Sequence, residues 1–171
     1  MSSHSDSKGI LLESKLSKIF NKRDGIFIEL GANDGIFQSN TFLLEKKLGW
    51  RGILIEPSFK GYKLCVKNRP NSLCLNYACV SNDYIDEFVS GDFGDNNPMA
   101  SVNGIRKGRG SSCVKVKAIT LEKILDEYNY EHIDFLSLDT EGYELNILKG
   151  LNLDKYRPRY MLIEIYKCDY D

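Results

Sequence analysis

The strongest constraint on this chain is a rhythm of short apolar bursts alternating with segments of helical spacing. Residues 26–30, 52–56 (GILIE, stopped by Pro57), 73–80, 133–138 and 160–165 read as buried strands. Between them, Leu12, Leu16, Ile19 and Phe20 form one helical stripe that ends near Asn21, with Asp24 and Gly25 as its turn. Residues 41–48 read as a second helix, capped by Ser39 or Asn40. Residues 58–67 (weakened by Gly61), 120–128 and 142–148 read as further helices. Strands that alternate with helices require crossover connections, and right-handed crossovers build a parallel sheet covered on both faces. The fold class expected is therefore α/β.

One domain accounts for all 171 residues. Residues 1–24 form an N-terminal helical segment. Residues 82–118 form an insertion with short strands at 87–90 and 113–118, joined by a long loop rich in Gly, Asn, Asp and Ser. With 23 basic against 24 acidic residues the net charge is −1, which argues against a surface built to hold nucleic-acid phosphates or acidic lipid. No apolar run approaches the roughly 20 residues of a membrane span, and the polar start MSSHSDSKG has no secretory apolar block. A cytoplasmic protein without nucleic-acid or membrane partners is expected. The five cysteines form no C-x-x-C pair and read as reduced thiols, mostly buried. Only two histidines occur, which leaves little material for a histidine-based nucleophile or metal site.

In sheets of this kind ligands bind beyond the carboxyl ends of the strands, so the residues placed there carry the chemistry. Gly31 and Gly35 bracket the first strand-to-helix turn as G-x-x-x-G, where glycine permits positive φ and close approach of a ligand. Glu56 closes the second strand, where an acid can accept hydrogen bonds from two ribose hydroxyls. Asn33 stands where a dinucleotide fingerprint has its second glycine, which counts against NAD or FAD. Glu29 would repel phosphate and could order the loop or meet a cationic ligand. Asp139 and Glu141 follow the fourth strand. They could serve as a proton-accepting pair, as a cap and dipole partner for the next helix, or as oxygen ligands to a divalent cation, and no metal is assigned. Glu144 could brace Glu141 or face water. Glu164 ends a buried strand and could border the pocket or pair with Arg106 or Arg109. Residues 106–110 could be a solvated loop or an acceptor clamp. His132 precedes the fourth strand, at the wrong end of the sheet for catalysis.

Three blocks, IELGANDG, SNTFLLEKKLGWRGILIEP and IDFLSLDTEGYELNILKG with the later MLIEI, resemble the FkbM-type methyltransferases over about residues 25–166. The resemblance implies a Rossmann-like class I methyltransferase fold that uses S-adenosylmethionine. It implies that Glu29, Gly31, Asn33 and Gly35 line the methionine part of the cofactor, with Ser39 and Asn40 nearby. It also implies Glu56 at the ribose, the Cys79 neighbourhood at the adenine, and Asp139, Glu141 and Glu144 on the catalytic side.

A sulfonium methyl is already activated, so the protein must align the attack, exclude water and accept the acceptor's proton. Asp139 is the first expectation for that base and Glu141 the second. The expected activity is O-methylation of a sugar or polyhydroxylated small molecule, hence a small-molecule or glycan acceptor. The alternatives are a non-catalytic domain that acts through protein contacts, and an NAD-dependent enzyme. Class I relatives usually add a final antiparallel strand pair, which is not expected within residues 1–171. The strand at 160–165 would then lie at a sheet edge, completed by a longer chain or by a second copy of this one.

Overall fold

The computed structural model describes residues 15–16, 18–94 and 113–165. Leu12, residues 106–110 and Cys168 lie outside the described residues. The elements in chain order are β1 (Ile26–Leu30), α1 (Phe42–Leu48), β2 (Arg51–Ile55), α2 (Phe59–Asn68), β3 (Leu73–Leu75) and β4 (Ala78–Val80). They continue as β5 (Phe88–Gly91), β6 (Val114–Thr120), α3 (Leu121–Glu127), β7 (Phe135–Leu138), α4 (Glu144–Leu148) and β8 (Tyr160–Ile163). Five strands form one parallel sheet in the order β3-β2-β1-β7-β8. This is the α/β architecture with a parallel sheet that the alternation of bursts and helices predicts, and it is consistent with the Rossmann-like fold that the resemblance implies.

Pleating divides the core in two. Along β1, Phe27 and Glu29 point to one face, and Ile28 and Leu30 to the other. Phe27 joins Leu54, Phe135, Leu44 of α1, Cys65 of α2, Trp50, and Leu16 and Phe20 from the N-terminal segment. Ile28 and Leu30 join Ile53, Ile55, Leu136 and Leu138 under Leu121, Ile124 and Leu125 of α3. Burial on both faces explains why the central strands read as continuous apolar runs. Helix starts follow local chemistry. The Ser58 and Thr120 hydroxyls accept from the amides of Gly61 and Lys123. Ser39, three residues before α1, accepts from the Phe42 amide at 3.1 Å.

The expected single strand at 73–80 is two strands in two sheets. Asn76 donates its side-chain amide to the carbonyls of Glu56 and Pro57 at 2.8 and 2.9 Å, which ends the β2–β3 ladder. Residues 78–80 then pair in parallel with 118–120 of β6, which also pairs antiparallel with β5. This small sheet has its own apolar cluster around Val80, Val89, Phe93 and Val116. The last strand differs from expectation in its burial, not in its place. β8 is at the sheet edge, with Tyr160 and Met161 exposed and Ile163 only partly buried, and Glu164 beyond it is exposed rather than buried. Among the described residues no helix is long and apolar enough to cross a membrane.

Asp134 ties the amino-terminal end of the sheet. Its carboxylate accepts from the Lys22 ammonium at 2.8 Å and from the Ile26 amide at 2.9 Å, and lies 2.8 Å from the His132 ring. Burial works against its charge, but these donors outweigh burial and hold the carboxyl at about 2. A depressed carboxyl contributes stability above its unfolded pKa of roughly 4 and loses it as pH falls toward 2. Asp134→Asn should therefore cost about 2 kcal/mol at neutral pH. Urea unfolding from pH 7 down to pH 2 should show the difference from the parent chain shrinking only below about pH 4.

Candidate active site

A cleft of about 270 Å³ opens where β1, β2 and β7 end and β4 begins. Gly31 makes the close approach that shapes it. Its φ is +78°, and a Cβ there would lie 1.9 Å from the Asp139 carbonyl oxygen, so only glycine lets the ends of β1 and β7 converge. Asn33, also left-handed at φ 49°, turns the loop back toward β2. There its amide donates to Glu56 Oε2 at 2.7 Å, while Ser58 N donates to Glu56 Oε1 at 2.8 Å. Each Glu56 oxygen thus keeps lone-pair capacity for a ligand. Burial pushes this carboxyl up to about 7 against the pull of the Ser58 and Asn33 amides.

Across the cleft from Glu56 stand Asp139 and Glu141, and Glu164 lies close to both. One carboxylate oxygen from each of Asp139, Glu141 and Glu164 lies within 4.8 Å of the other two. Burial first, then a hydrogen bond with Glu164 and the charges of Glu164, Glu141 and Glu144, push Asp139 up to about 7. A group so poised can accept a proton near neutral pH, and hard oxygen ligands in this arrangement could also hold a divalent cation. Asp139 and Thr140 do not cap the next helix, because α4 starts at Glu144 and Tyr143 is its cap residue. Glu144 reaches back instead. Its Oε1 accepts from the amides of Thr140 and Gly142 at 2.9 and 3.1 Å and from the Thr140 hydroxyl at 3.1 Å. It holds the loop that presents Glu141, itself in a left-handed conformation at φ 57°.

Gly31, Asn33, Glu56, Cys79, Asp139 and Glu141 line the cleft together. Cys79 is buried there, and burial pushes its thiol up to about 12. Glu29, Gly35, Ser39 and Asn40 lie behind the cleft wall and hold its shape. Glu29 is buried and accepts from Ser39 Oγ at 2.9 Å, Thr41 Oγ1 at 2.5 Å and the Asn40 amide at 2.7 Å. Asn40 in turn donates to Ser137 Oγ of β7 at 3.0 Å. The Glu29 position thus orders the loop, one of the two roles its sequence allowed. His132 is exposed at the opposite end of the sheet.

Sequence reasoning did not find the centre of this network, Arg69. It is wholly buried and donates to Glu45 Oε2 at 2.8 Å, the Gly35 carbonyl at 3.0 Å, Ser39 Oγ at 3.1 Å and Thr41 Oγ1 at 3.0 Å. Glu29 lies 3.9 Å from the guanidinium. Burial pushes the Glu29 carboxyl up, and its four partners, the Arg69 charge among them, oppose that rise. The signal available in the sequence was an acid inside an apolar strand, which demands a buried cation without saying which one. Phe37, Lys60, Tyr77, Phe93 and Tyr143 also reach the cleft without a motif to announce them.

Removing Arg69 leaves two buried carboxylates without their cation. Arg69→Met should lower unfolding stability by about 3–5 kcal/mol in urea titrations at pH 7. Adding Glu45→Leu to that variant should recover part of the loss, because one stranded charge goes with it.

Residues 29–171 match the family described as the methyltransferase FkbM domain. The match covers the glycine turn, Glu56 and the acids after β7. No curated protein and no solved structure matches the chain. With the strand order β3-β2-β1-β7-β8 and a cleft at the strand ends, the match settles the assignment: the chain belongs to the FkbM methyltransferase family.

Proposed function

We propose that this domain transfers a methyl group from S-adenosylmethionine to a hydroxyl of a sugar or other polyhydroxylated small molecule, with Asp139 as the base and Glu141 beside it. The observation that carries this reading is the pairing of two different carboxylates across one cleft. Glu56 is fixed by two backbone amides with acceptor capacity to spare, and Asp139 is pushed to about 7 among other acids.

The donor set suits this cofactor. Among the described residues that line the cleft, Glu56, Asp139 and Glu141 are acidic and Lys60 is the one basic residue. That balance fits a sulfonium with a ribose diol and disfavours a dinucleotide pyrophosphate. Glu56 would accept from the ribose hydroxyls, Ile55, Ala78 and Cys79 would give the base an apolar seat, and the Gly31 turn would meet the methionine part. When bound, the cofactor would supply a methyl group activated by positive charge on sulfur. The protein's own contribution is alignment, exclusion of water and removal of the acceptor's proton. A hydroxyl held against Asp139 Oδ passes its proton to that carboxylate as the oxygen attacks. The same acids would repel a polyanionic acceptor, so nucleic acid and membrane lipid are not among the proposed partners. The free thiols at Cys65 and Cys79 suit a cytoplasmic setting.

Two experiments test the proposal. Calorimetry with S-adenosylhomocysteine should give micromolar binding, and Glu56→Ala should weaken it by about 10- to 100-fold. No binding by the folded chain would support the non-catalytic alternative. With a polyol acceptor panel read by mass spectrometry, Asp139→Asn should leave binding nearly intact and cut turnover on the order of 100-fold or more. Because Asp139 acts only when ionised, turnover of the parent chain should rise as pH increases through about 7 and then level off.

A further inference from the structure

Two thiols outside the cleft meet each other. Cys65 lies in α2 and Cys74 in β3, on the far side of the 69–72 turn. Their sulfurs are 3.4 Å apart, and among the described residues they are the one cysteine pair in contact. A disulfide needs about 2.05 Å, so the sulfurs must close by only about 1.4 Å. Cys65 is wholly buried, packed beneath the glycine turn, whereas Cys74 is half-buried on the edge strand. The other described cysteines differ. Cys79 is buried with its thiol pushed up, and Cys113 is exposed.

The geometry points to Cys65 and Cys74 as an oxidisable dithiol, in which Cys74 reacts with a hydroperoxide and Cys65 resolves the product to an intramolecular disulfide. The division of labour follows from position. Cys74 is the less buried of the two and lies on an edge strand, whereas Cys65 is wholly enclosed. Its hydrogen bond with Cys65 holds its thiol below the ordinary range; burial works against that and the Arg69 charge assists it. The same hydrogen bond, together with burial, pushes the Cys65 thiol up. In the first step the Cys74 thiolate attacks one oxygen of the hydroperoxide. The O–O bond breaks, and the departing oxygen takes up a proton to leave as water or an alcohol, giving a sulfenic acid. In the second step the Cys65 sulfur loses its proton and attacks the sulfenic sulfur. The S–S bond forms, the S–O bond breaks, and water leaves. The two sulfurs lose two electrons and the peroxide gains them.

The test uses the full reduced chain treated with one equivalent of hydrogen peroxide. Remaining thiols are alkylated, and the protein is digested with trypsin without reductant. Cleavage after Lys67 separates the two cysteines, and fragmentation distinguishes Cys74 from Cys79 on the shared peptide. The expected result is a Cys65–Cys74 link as the main oxidised species, reversed by dithiothreitol. In Cys65→Ser, where the resolving sulfur is gone and a hydroxyl keeps the hydrogen bond to Cys74, dimedone should label Cys74 about ten-fold more than Cys113. Recovery of Cys65 and Cys74 as alkylated thiols while Cys113 is oxidised would overturn the inference, and so would a dominant link between any other pair. The peptide map of the parent chain decides the matter even if the variant does not fold.

Discussion

A carboxylate on the central strand, pointing into an apolar layer, sets the terms for this fold. Glu29 alternates with Phe27 on the β1 face that α1 and α2 cover, so its charge must be satisfied from within the protein. Arg69, at the end of α2, answers that demand and makes several further bonds at once. It reaches Glu45 on α1, the Gly35 carbonyl in the glycine turn, and the Ser39 and Thr41 hydroxyls before α1. The rings of Phe27 and Phe42 lie 5.3 and 5.8 Å from its guanidinium, which gives the cation a seat among aromatic faces. Strand, turn and both helices are therefore locked by one buried group. The cleft stands on the other side of this lock.

The acids around the cleft are held with graded firmness, and the grading follows how each is placed relative to the cleft wall. Glu29 is surrounded by donors from its own protein and has no place on the cleft wall. Glu56 is pinned by two amides yet faces the cleft, which fits a ligand-holding group. Asp139 has acids as its chief neighbours, and burial with mutual repulsion moves it toward neutrality. Glu144 stands behind this group and fixes the 140–142 loop through its own carboxylate. Under the methyl-transfer proposal, rigid support at the turn would hold one reactant and the titratable group at the far wall would deprotonate another.

The small sheet extends this arrangement. By leaving the main ladder at Asn76, the chain carries Ala78 and Cys79 over the end of β2 and brings Phe93 to the mouth of the cleft. A continuous strand through 73–80 would have kept those residues in the plane of the main sheet. The bend thus converts one apolar run into an edge strand and a wall.

Much of this was legible in the sequence because strands buried on both faces must be apolar and crossovers must be helical. The alternation alone set the α/β class, four of the five main-sheet strands and the end of the sheet that carries the cleft. Gly31, Glu56 and Asp139 could be found because each follows a strand directly, and Gly35 and Glu141 because they lie a few residues on in the same turns. The break at Asn76 was not legible, since Leu73 to Val80 is apolar enough to continue and only a side-chain bond to β2 stops it. Arg69 was not legible either, because its partners lie 24 to 34 residues away in sequence. Nor was the contact between Cys65 and Cys74, which depends on how α2 packs on β3. Local order follows from patterns within a few residues. Which charge meets which, and which acid is moved toward neutral pH, depends on desolvation, and desolvation exists only once the chain has packed.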